Sequence, residues 1–159
     1  MPDKKSLGTV IAKLEELFQL FNEHFYSGKL EQPVITVSPD TTAGAYGWCT
    51  GWKAWKSDTE SKPEDGFYEI NICAEHLKRP FADICETLLH EMVHLFNLYK
   101  GVKDTSRGGT YHNKRYKAAA EEHGLKVDIV WAMAPKALYT SFLVFMTIFF
   151  KVYLFLIEE

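Results

Sequence analysis

The sequence predicts an α+β fold: an N-terminal helix, a small antiparallel or mixed sheet, and two further helices. Three observations predict it. Apolar residues near the start recur at three- and four-residue steps. Short β-rich runs, separated by glycine and polar segments, fill the middle. Two helical patterns then follow one another.

Val10, Leu14, Leu17, Phe18, Phe21 and Phe25 set the first helix, about residues 7–26. Gly28 and Pro33 in "YSGKLEQP" break it. "VITVS" reads as a strand. "AYGWCTGWKAW" is glycine-punctuated and aromatic, which suits a strand or hairpin arm. "SDTESKPEDG" is a polar connection, and the alternating, β-rich "FYEINIC" is another strand. Pro80 is suited to the first position of a helix. Ile84, Leu88, Met92 and Leu95 continue that helix, and Gly101 ends it. After the partly basic loop "GVKDTSRGGT", the segment "YHNKRYKAAAEEHG" forms the last helix, closed by Gly124.

The chain has 159 residues, most simply one domain with a real core. Apolar content of 47% with 14% aromatics excludes a disordered chain. A net charge of −3 gives no global argument for nucleic acid, although a local basic patch is compatible with it. Cys49, Cys73 and Cys85 are odd in number and form no C-x-x-C pair. The start, "MPDKKSLGTV", lacks the apolar core of a secretory signal. These features predict a reducing, cytoplasmic setting and no disulfide framework, and they exclude a cysteine-built zinc ribbon.

Residues 138–157, "LYTSFLVFMTIFFKVYLFLI", are apolar apart from Lys151. Such a length spans a bilayer as a helix. A central lysine costs roughly 3 kcal/mol on insertion scales, which does not forbid it. Three readings stand: a membrane anchor, a pair of β-rich core segments, or an atypical chain end. The expected organisation is a domain over 1–130 and an apolar tail over 131–159.

The stretch "LLHEMVHLF" places His90, Glu91 and His94 inside an apolar helical run. Burying two imidazoles and a carboxylate costs free energy unless each has a partner. His90 and His94, four apart, share one helix face. Neutral imidazoles so placed bind zinc through nitrogen, and Glu91 between them is free to act as a base. For a chain with six histidines, about 0.2 H-x-x-x-H pairs arise by chance, and an acid at the second place reduces this to about 0.03. The plain alternative is two surface histidines beside an unrelated glutamate. The apolar flanks argue against it.

A catalytic zinc needs a third protein ligand and an open position. The metzincin extension requires glycine at 97 and histidine at 100, where Asn97 and Lys100 stand. Glu121 or Glu122 from a later helix could serve. His112 is the better candidate, because it opens the last helix after a glycine-rich loop. Its bland reading is a helix-start residue facing solvent. His123, in a last helical turn, is favoured there as a partial cation. His24 and His76 lack ligand spacing and read as structural. Tyr111 and Tyr116 are either oxyanion stabilisers or packing residues.

"LFNEHFYSGKL", "TLLHEMVHLFN" and "GGTYHNKRYKAAAEEHGL" together resemble the SprT-like (Spartan-type) metalloprotease domain, over roughly residues 10–127. The resemblance implies Zn2+ held by His90, His94 and His112, with Glu91 as catalytic base, and so favours His112 over Glu121. It also implies cleavage of proteins bound or crosslinked to DNA. The chain departs from the pattern in having no cysteine after Cys85, where many relatives carry a cysteine-rich zinc module.

Lys103, Arg107, Lys114, Arg115 and Lys117 cluster around the third-ligand loop, and Trp48, Trp52 and Trp55 interleave with Lys53 and Lys56. Rings beside cations suit single-stranded DNA, with Trp52, Lys53, Lys103, Arg107, Lys114 and Arg115 as contacts. A solvated basic face with ordinary core tryptophans explains the same residues. The functional expectation is a zinc metalloendopeptidase with a protein substrate. Its rivals are a non-catalytic zinc-stabilised binding module and a membrane-anchored zinc peptidase.

Overall fold

The computed structural model describes residues 6–39, 44–56, 65–106, 111–127 and 138–140. Helix α1 spans Leu7–Tyr26, over the range its periodicity predicts. Ser6 caps it, its Oγ accepting from the Thr9 N–H at 3.3 Å. Ser27 ends it in the left-handed conformation. Buried Asn22 then fastens the exit: its Nδ2 donates to the Leu30 carbonyl at 2.8 Å and its Oδ1 accepts from the Leu30 N–H at 3.0 Å.

Strands β1 (Val34–Ser38), β2 (Gly47–Cys49) and β3 (Glu69–Cys73) form a mixed sheet in the order β1-β3-β2. β1 runs parallel to β3, with Ile35 beside Ile70 and Val37 beside Ile72. β2 runs antiparallel to β3, with Gly47 opposite Ile72 and Cys49 opposite Ile70. Alternation therefore puts Ile35, Val37, Ile70, Ile72, Gly47 and Cys49 on one face. The other face carries a polar ladder, in which the Ser38 hydroxyl donates to Asn71 Oδ1 at 2.8 Å. Only the first part of the "AYGWCTGWKAW" segment is strand; Trp55 makes an isolated bridge to Phe67.

Helix α2 spans Phe81–Tyr99. Pro80 stands just outside it as the capping residue, with an extended ψ of 142°, rather than at the first helical position. A two-stranded hairpin follows, β4 (Thr105–Ser106) against β5 (Tyr111–His112). Helix α3 covers Lys114–Glu122. Strand β6 (Leu125–Val127) pairs antiparallel with β7 (Leu138–Thr140). The apolar tail is thus described only where it forms β7, and residues 141–157 lie outside the described residues. Among the described residues, no helix is long and apolar enough to cross a membrane.

One buried cluster joins these elements. Leu14, Phe18 and Phe21 of α1 and Leu88, Met92 and Leu95 of α2 meet Ile35, Ile70 and Ile72 of the sheet, and Tyr116 and Ala120 of α3 complete it. Each large apolar side chain buried this way contributes about 1.5–3 kcal/mol of transfer free energy. The consequence for function is positional. α2 is held between the sheet and α3, so its polar positions are fixed by the packing of its apolar ones.

Candidate metal centre

His90 and His94 sit one turn apart on α2, both half-buried. His112 reaches them from β5. It does not open α3 as the sequence suggested, because Asn113 takes that place. The Asn113 Oδ1 accepts from the N–H groups of Arg115 (2.8 Å) and Tyr116 (3.4 Å), which leaves His112 in the strand beside Thr105. The Nε2 of His112 lies 3.0 Å from His90 Nε2 and 3.0 Å from His94 Nε2. Among the described residues this is the group of His, Cys, Asp and Glu side chains able to hold a metal ion.

The donor set fits zinc. Nitrogen ligands about 2.1 Å from a tetrahedral zinc stand roughly 3.4 Å apart, close to the spacing here. His94 Nδ1 lies 2.7 Å from Asp104 Oδ2 and donates to that carboxylate, so His94 Nε2 presents a lone pair to the cluster. A single proton on His112 Nε2 serves only one of its two close contacts, whereas a cation serves all three nitrogens.

The charge environment favours neutral rings at two of the three positions. Burial, with His94 and His112 alongside, holds His90 well below the usual imidazole range. Burial and His94 lower His112 to about 4, against the opposing charge of Asp104. For His94, burial also works downward, but the Asp104 hydrogen bond and the charges of Glu91 and Asp104 win and raise it. Asp104 is correspondingly lowered: its own burial is outweighed by His94 and by Asn97, whose Nδ2 donates to Oδ2 at 3.0 Å.

Glu91 is 5% exposed and lies on the α2 side that meets β2. Burial pushes its carboxyl up to about 7; Asp104 adds to this, while His94 and the Cys49 backbone N–H work against it. Tyr116 forms a wall of the site. Its ring centroid lies 5.1, 4.7 and 4.3 Å from those of His90, His94 and His112. It is buried and its hydroxyl donates to the His90 carbonyl at 3.4 Å, so the packing reading applies rather than the oxyanion one.

The other sequence candidates lie elsewhere. Exposed Glu121 and Glu122 pair with Lys117 at 3.5 Å and Lys100 at 3.7 Å. His24 packs on Phe25 and His76 on Tyr46, while His123 Nδ1 donates to the Phe25 carbonyl at 2.8 Å. Lys103, Lys114 and Arg115 are exposed around the start of α3, where Asn113 Nδ2 donates to the Lys103 carbonyl at 3.0 Å. Trp52 is 68% exposed after β2, beside half-buried Lys53. Trp55 Nε1 donates to Glu69 Oε2 at 2.7 Å. Arg107 lies outside the described residues. Sequence reasoning passed over Asp104, Asn113 and Cys49, and considered Asn97 only as a departure from the metzincin pattern. An acid between the helical motif and the third histidine was the available signal for Asp104.

A family model described as SprT-like matches residues 14–131. The chain belongs to the SprT-like family. The match takes in α1 from Leu14 onward, the sheet, α2 and α3, and thus every residue of the histidine cluster. A relative of this SprT-like chain is the DNA-dependent metalloprotease SPRTN of Bos taurus, 34% identical over 97 residues. That alignment covers 60% of this chain and 18% of the relative's length.

Proposed function

We propose that the chain is a zinc-dependent metalloendopeptidase acting on DNA-associated or DNA-crosslinked proteins, its catalytic domain occupying residues 1–130. The observation that carries the hydrolytic part is a buried carboxylate beside three convergent imidazoles. In this reading His90, His94 and His112 hold the metal. Bound zinc supplies a Lewis acid for a peptide carbonyl and brings the pKa of water near neutrality.

Glu91 is the general base. Its buried carboxylate lies on α2 between the two helical histidines, where a positioned acid can take and return a proton. It takes a proton from the attacking water and returns it to the leaving amine. A non-catalytic metal-binding module needs no such buried acid, which costs stability while it is ionised.

The DNA part rests on the basic start of α3. Lys114 and Arg115 occupy the first turn of α3, which holds no acid. Cations are disfavoured at a helix N-terminus, so their presence there suits phosphate. With Lys103 nearby and Trp52 exposed for base stacking, single-stranded DNA is the partner chemistry. The relative named DNA-dependent supports the same reading.

The test incubates zinc-loaded protein with a basic DNA-binding protein, with and without single-stranded DNA, beside Glu91→Gln. The expected result is cleavage by wild type alone, stimulated by DNA and suppressed as salt rises. Equal cleavage by Glu91→Gln removes the catalytic assignment. Cleavage indifferent to both DNA and salt keeps the peptidase and removes the DNA part.

A further inference from the structure

We propose that Asp104 and Asn97 are positioning residues for this centre: Asp104 fixes the His94 ring with its Nε2 turned to the cluster, and Asn97 fixes Asp104. The inference rests on the metal reading above and adds two residues to it.

The geometry is a relay. Asp104 Oδ2 is shared by two donors, His94 Nδ1 at 2.7 Å and Asn97 Nδ2 at 3.0 Å. Asn97 is 2% exposed and Asp104 8%. A carboxylate that buried is costly unless its lone pairs are taken, and here one of the two donors is a ring of the cluster. The bond to Nδ1 does more than satisfy Asp104. It selects the tautomer in which His94 Nε2 carries a lone pair, and it blocks rotation of the ring.

Asn97 follows His94 by three residues on α2, so it shares that helix face and reaches the same oxygen. Its backbone carbonyl also accepts from the Val102 N–H at 2.8 Å, which turns the chain back towards the helix. At its other end the loop is held by Asn113, whose N–H donates to the Asp104 carbonyl at 2.8 Å. Asn113 directly follows His112. The relay therefore ties the helix bearing two of the histidines to the strand bearing the third. A loop clamp alone has no need to aim its carboxylate at an imidazole nitrogen.

The test compares Asp104→Ala, Asp104→Asn and Asn97→Leu with wild type in the full chain. Zinc affinity is read by competition with a chromophoric chelator, ligand geometry by cobalt(II) absorption, and folding by melting in chelator. Asp104→Ala should lower zinc affinity about 10–100-fold and change the cobalt(II) bands. Asp104→Asn should recover part of that loss, since its carbonyl oxygen still accepts the Nδ1–H. Asn97→Leu should lie between wild type and Asp104→Ala. If Asp104→Ala does not fold, Asn97→Leu, which keeps the buried volume, decides by the same readings. Variants that melt lower yet bind zinc within twofold of a tight-binding wild type overturn the proposal and leave the metal reading intact. Wild type that takes up no zinc removes both.

Discussion

The side chain of Glu91 on α2 packs against Gly47 of β2: a Cβ built on Gly47 would stand 3.6 Å from Glu91 Cγ. This contact joins the motif helix to the strand at one edge of the sheet. The acid sits in an apolar seam, where the Cys49 backbone N–H on β2 works against burial without offsetting it, so the carboxyl remains raised.

The first prediction concerns the stability of the metal-free protein. The Glu91 pKa is about 7 when folded, against 4.5 for the free side chain. Its stabilising effect is therefore fully present below 4.5, where both states are protonated, and falls as pH rises to about 7. The loss is about 3 kcal/mol at 1.36 kcal/mol per pH unit. Glu91→Gln should remove this term, so urea melts should show the variant gaining on wild type between pH 5 and 8. His90 and His112, lowered by burial, act in the opposite sense in both proteins, while removing the Glu91 charge takes away part of what raises His94 and so adds to the variant's gain in the same direction. An unchanged difference across that range rejects the assignment.

The same variant separates chemistry from binding. Glu91→Gln keeps the imidazole ligands and the shape of the side chain, so zinc stoichiometry should stay at the wild-type value. Turnover should fall by about 10²–10⁴-fold, the usual worth of a positioned base. Metal analysis beside a peptide-cleavage assay checks both halves.

Zinc itself should stabilise the fold. Ligand present at 1,000 times its Kd adds about 4 kcal/mol, because the unfolded chain cannot assemble the three imidazoles. For a chain of this size that is a rise in Tm of roughly 8–16 °C, reversed by a chelator. His112→Ala should lose most of the increment. His24→Ala, exposed on α1 with its ring on Phe25 and outside the histidine cluster, should keep it.

How much of this was legible in the sequence follows from the range of each interaction. α1, β1, β3 and α2 came from apolar periodicity, which is local, and His90, Glu91 and His94 came from helical spacing, also local. The parallel register of Ile35 with Ile70 could not be read, because many registers of two β-rich runs keep the same face inside. Asp104 and Cys49 were missed for a related reason. Their partners, His94 and Glu91, are fixed by a loop path and by strand order. His112 was found as a residue but placed on the wrong element, since the capping power of Asn113 decides where α3 begins.

A final prediction probes the α2–β2 seam without touching an ionisable group. A Cβ on Gly47 would stand 2.6 Å from the Asn71 carbonyl oxygen and 3.1 Å from Thr87 Cγ2. The first neighbour is backbone of the paired strand β3 and cannot rotate away, so β2 itself must move. Glu91 Cγ would stand 3.6 Å from the same Cβ, so a shift of β2 reaches the Glu91 side chain directly. Gly47→Ala should therefore cost about 1–3 kcal/mol, as overpacked sites do. It should also lower kcat while zinc affinity stays at the wild-type value, because the three histidines lie on other elements. Denaturant melts, chelator competition and cleavage rates on one preparation test all three parts. Unaltered kcat alongside the expected stability loss would show that the position of β2 does not govern Glu91.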